Sequence, residues 1–73
     1  MKYEIKYKTV GVGFKTAEIP DAHKYQAFSN ANIYALIPAT AEVAGRLNAN
    51  TTLVTDAVFS TPLNSLISVE LRN

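Results

Sequence analysis

The chain has 73 residues, seven Lys or Arg against six Asp or Glu, a formal net charge of +1 and no cysteine. That length makes a single domain with a small core, burying only about 60% of the surface its unfolded chain exposes. The missing cysteine removes disulfides and thiolate metal sites, the near-balanced charge argues against nucleic acid as a default partner, and no stretch approaches the ~18 apolar residues of a membrane span.

Lys2 to Lys8 alternates without a fault: Tyr3, Ile5 and Tyr7 fall on one side, and Lys2, Glu4, Lys6 and Lys8 on the other. Successive side chains leave a strand on opposite faces, so this period predicts a half-buried strand. Thr9 and Val10 lead into Gly11-Val12-Gly13, where glycine permits the positive φ of a tight reversal. Phe14, Thr16 and Ile19 are expected inward on the returning strand, with Lys15, Ala17 and Glu18 outward. The expected unit is an antiparallel hairpin with a basic wet face and an aromatic buried face. No targeting signal opens the chain, since Lys2 is followed at once by strand alternation; this suggests a cytoplasmic or virion protein.

Pro20 ends this strand, and Asp21 is placed to cap a short helix over residues 21–28. Ala22, Tyr25 and Phe28, spaced by three, would share its inward face. Ser29 to Asn32 breaks that segment, because small polar side chains compete for backbone hydrogen bonds. Ile33-Tyr34-Ala35-Leu36-Ile37 is the most apolar run, closed by Pro38. Continuous apolarity predicts a central strand covered on both faces. Residues 38–47 suggest a second helix, with Thr40 as N-cap and Val43, Ala44 and Leu47 inward, although residues 20–30 and 39–49 also read as loops.

Residues 51–59 are rich in β-branched side chains, with Leu53, Thr55, Ala57 and Phe59 on one side and Val54 and Val58 on the other. Ser60 to Ser65 has the composition of a turn. Leu66 to Arg72 closes the chain as a strand, with Ile67, Val69 and Leu71 inward. Residues 51–72 therefore read as a second hairpin. These elements predict an α+β domain with one mainly antiparallel sheet of four or five strands and one or two short helices. The alternative is a small all-β barrel or sandwich.

The chemistry-bearing residues are sparse. Gly11-Val12-Gly13 lacks the third glycine and following helix of a dinucleotide fingerprint and the Lys-Ser/Thr of a P-loop. His23, the one histidine, has no second histidine or oriented nucleophile beside it, and Asp56 and Glu70 fit the outward side of a hairpin. Asn50-Thr51-Thr52 matches a glycosylation acceptor pattern by chance. No catalytic, cofactor or metal set is expected, so the chain reads as a non-enzyme.

The low charged fraction, 18%, and the apolar second faces of the strands favour a homo-oligomeric interaction or structural protein, dimeric by default, and the small size suits a phage or virion accessory. A heterologous protein partner is the variant of that reading. Val54, Val58, Tyr34 and Leu36 are its expected contact residues. The competing reading is a small nucleic-acid-binding protein using Lys2, Lys6, Lys8 and Lys15 of the basic hairpin. Tyr3 and Tyr7 weigh against it, because they lie opposite the lysines, whereas a stacking platform needs both on the accessible side.

Overall fold

The computed structural model describes residues 1–11, 13–40 and 57–73. They form six strands: β1 (Lys2–Lys8), β2 (Phe14–Ile19), β3 (Tyr25–Ser29), β4 (Ile33–Pro38), β5 (Phe59–Pro62) and β6 (Leu66–Arg72). Two single 3-10 turns, Ala22–Lys24 and Leu63–Ser65, precede β3 and β6. The strands make two antiparallel three-stranded sheets, β2-β1-β6 and β3-β4-β5. This overturns the single sheet with helices: among the described residues there is no α-helix, and the architecture lies nearer the all-β alternative.

The hairpin at the start of the chain forms where its alternation places it, and Gly11 and Gly13 take φ of +94° and +113° in its turn. Ile5, the buried middle of β1, joins Tyr34 and Leu36 of β4 in one core. Around them pack Tyr3, Ile19, Tyr25, Phe59, Leu66 and Val69, so side chains of both sheets fill the space between them. Tyr7 of β1 meets Phe59 of β5 edge to face, with ring centroids 5.4 Å apart, which ties the sheets together at the hairpin end.

β4 is the central strand of its sheet, and Ile33 to Ile37 are all buried. Tyr34 and Leu36 face β1, while Ile33, Ala35 and Ile37 form a second cluster with Phe28 and Ala57. That two-sided burial explains why the expected helix over residues 21–28 is absent. Tyr25 joins the first cluster and Phe28 the second, from opposite faces of β3. A three-residue apolar spacing suits one face of a helix, but equally a strand whose two sides are both covered. Asp21 makes no side-chain cap; it adopts the left-handed conformation at φ 54° and its carbonyl accepts from the Lys24 amide at 2.9 Å. Ser29 to Asn32 is not a helix stop but the β3–β4 reversal. There the Asn30 side-chain Oδ1 accepts from the amides of Asn32 at 2.7 Å and Ile33 at 2.9 Å.

The closing strands also differ from expectation. β5 pairs with β4 and β6 pairs with β1, so the second hairpin is replaced by two strands in different sheets. Ser60 to Pro62 belong to β5, and the chain changes sheets through the turn at Leu63–Ser65. The register of β6 shifts between Lys6 and Tyr7, which pair with Ser68 and Leu66 and leave Ile67 over. That bulge lets Leu66 and Val69 both reach the core and turns Ile67 outward, contrary to its expected inward place. Leu71 is exposed as well. Pro38, the expected start of a second helix, is instead the last residue of β4, and the rest of that helix beyond Thr40 and most of the expected strand over 51–59 lie outside the described residues.

Two measurements check this core. Leu36 is 0% exposed, and Leu36→Ala should cost about 2–5 kcal/mol in urea unfolding, a large share of what a domain of this size has. Burial raises the Tyr34 hydroxyl above its ordinary pKa of 10.0, with the neighbouring Tyr3 adding to the shift. The folded state therefore holds the Tyr34 proton where the unfolded chain has begun to lose it. Stability present below pH 10.0 should fall as pH rises through and above it, and Tyr34→Phe should flatten that alkaline decline.

Candidate functional site: the basic end of the first hairpin

The outer face of the β2-β1-β6 sheet carries nearly all of the hairpin's charge, and the strand register sorts it into rows. Lys2 stands opposite Arg72; the next row is Glu18, Glu4 and Glu70; then come Thr16, Lys6 and Ser68, and last Phe14 opposite Lys8. Like charges directly opposite one another destabilise a sheet, so the carboxylate row needs cations. Lys2 Nζ lies 2.9 Å from Glu18 Oε1. Arg72 reaches Glu4 at 3.1 Å and Glu70 at 2.5 Å. The hydrogen bond to Glu70, followed by the charge of Glu4, holds the Arg72 guanidinium in its charged form more firmly than usual.

Those contacts use every carboxylate on this face. Lys6 and Lys8 on this face, and Lys15 opposite Tyr7 on the other face, all toward the hairpin turn, have no carboxylate in salt-bridge range among the described residues. The sheet is thus polarised along its strands, neutralised at one end and basic at the other. Of the four lysines expected at the nucleic-acid surface, Lys2 belongs to the neutralised end and the other three to the basic end.

Phe14 is the residue that sequence reasoning misplaced. It was expected inward with the tyrosines, but it lies opposite Lys8 on the charged face and is 58% exposed. Thr16 likewise sits opposite Lys6, while Lys15, Ala17 and Ile19, of which the first two were expected outward, take the other side opposite Tyr7, Ile5 and Tyr3. The cause is loop parity: Lys8 pairs with Phe14 across a connection of five residues. An odd loop keeps even-numbered β2 residues on the side of even-numbered β1 residues. The Lys6 ammonium stands 4.9 Å from the Phe14 ring centroid, a cation–π distance.

Behind the same hairpin end runs an open groove of about 520 Å³, lined by Tyr7, Lys8, Thr9, Val10 and Lys15 and, from β5 and the following turn, by Thr61, Pro62 and Ser65. Two lysines and three hydroxyls beside the apolar Tyr7 ring, Val10 and Pro62 are chemistry for an anion with an apolar part.

The other candidates do not assemble. Tyr34 and Leu36, expected at a protein contact, are inside the core at 8% and 0% exposure; Val58 is exposed and Val54 lies outside the described residues. His23 is exposed in the first 3-10 turn. Glu70 is engaged by Arg72, and Asp56, its expected neighbour, lies outside the described residues. No cluster of His, Asp or Glu suited to a metal ion occurs among the described residues, and no helix there is long and apolar enough to cross a membrane. No protein-family model matches the chain, and no curated protein or solved structure matches it.

Arg72→Ala leaves Glu4 and Glu70 facing each other across β1 and β6. The denaturation midpoint should fall, more at low ionic strength than at high, where the repulsion is screened. A midpoint shift independent of salt would count against the pairing.

Proposed function

We propose that this chain is a small nucleic-acid-binding protein that uses the basic end of its β1–β2 hairpin. The observation that carries the reading is charge segregation: Glu4, Glu18 and Glu70 are matched by Lys2 and Arg72, while Lys6, Lys8 and Lys15 are left without carboxylate partners among the described residues. A nearly neutral chain thereby presents a local cationic surface suited to phosphates, despite its balanced total. The exposed Phe14 ring beside Lys6 and Lys8 favours nucleic acid over a purely ionic partner, because nucleic acid offers bases as well as phosphates. The objection that the tyrosines face away from the lysines loses its force once an aromatic stands on the lysine side. The homo-oligomer reading loses two of its four contact residues, Tyr34 and Leu36, to the core between the sheets.

The test is the salt dependence of oligonucleotide binding, followed by fluorescence anisotropy. Affinity should fall linearly on a log–log plot of binding constant against salt. Replacing Lys6 and Lys8 together by Gln should weaken binding and flatten the slope by about 1.4 for single strands or about 1.8 for duplex DNA. No binding at low salt, or a slope indifferent to the double replacement, would remove the assignment.

A further inference from the structure

Resting on that reading, we infer that the nucleic acid bound is single-stranded and that Phe14 is the surface on which one of its bases stacks. Phe14 is more than half exposed and belongs to neither core cluster. Its cross-strand neighbour is Lys8, and Lys6 stands over its ring, so two cations flank one flat apolar surface. A base and the phosphates on either side of it have that same alternation of π-face and negative charge.

The fold selects against a duplex. β6 lies alongside β1 as far as Tyr7, so only the Lys8–Phe14 pair and the turn extend beyond a three-stranded sheet. A two-stranded ribbon fits a major groove about 12 Å wide. Here the ribbon is one residue pair and a turn long, and the three strands behind it, about 4.8 Å apart with side chains at both edges, stop it from entering further. The bases inside a duplex are already stacked above and below, and none can lie on an outside ring. An unpaired strand meets neither barrier. β2 is an edge strand, so a strand held by Lys6 and Lys8 can pass round the hairpin to Lys15 and the groove beside Thr9 and Ser65.

The experiment compares three ligands of equal length with the full chain at one salt concentration: an oligothymidine strand, the same strand carrying abasic sites, and a duplex. Abasic strands keep the phosphates and lose the bases. The intact strand should bind about tenfold tighter than the abasic one. Phe14→Ala should bring intact-strand binding down to that of the abasic strand, and Phe14→Tyr should restore the difference. Equal binding of intact and abasic strands, or a duplex bound as tightly as the intact strand, would overturn the stacking inference while leaving the salt-dependent site in place. Failure of all three to bind would remove both.

Discussion

Burial of Leu36 and Tyr34 of β4 against Ile5 of β1 is the contact on which the structure depends. It joins the central strand of one sheet to the central strand of the other, and among the described residues each three-stranded sheet covers its apolar face with the other. Because β4 is buried on both sides, the segments beside it inherit the requirement for apolar groups on two faces. Tyr25 and Phe28 of β3 meet it from opposite sides, and the β6 bulge brings Leu66 and Val69 to the same core.

The functional surface follows from that packing with one further constraint, the parity of the first turn. Once Ile5 fixes which side of β1 faces inward, Lys2, Glu4, Lys6 and Lys8 must face outward. Five connecting residues then place Phe14, Thr16 and Glu18 with them. Glu18 completes the carboxylate row that Lys2 and Arg72 neutralise, and Phe14 arrives beside Lys6 and Lys8. The same register that closes the core therefore separates a quiet end of the sheet from a basic, aromatic one.

Much of this was legible in the residues. The faultless alternation of Lys2 to Lys8 and the apolar run of Ile33 to Ile37 point to strands, the glycines between β1 and β2 to a reversal or a bulge, and the structure has strands at the first two and a hairpin turn at the glycines. Three features were not. The spacing of Ala22, Tyr25 and Phe28 is helical in period, and only the presence of a second covered face makes it a strand. The partners of β5 and β6 depend on long-range pairing that local composition does not encode. Inward and outward on β2 depend on a loop count, and Phe14-Lys15-Thr16-Ala17-Glu18-Ile19 has no contrast sharp enough to announce it: the large apolar Phe14 is outward and the small Ala17 inward. The site was half visible for the same reason. The lysines were plain; the aromatic beside them was assigned to the wrong face.

The most direct test of the account is a residue-resolved titration of the labelled protein with a short unpaired oligonucleotide, followed by amide chemical shifts. The account predicts that perturbations concentrate on Lys6, Lys8, Phe14 and Lys15, while Lys2, Glu18 and Arg72 at the neutralised end remain still. Perturbations centred on the neutralised end or spread evenly over both sheets, or none at saturating ligand, would contradict it.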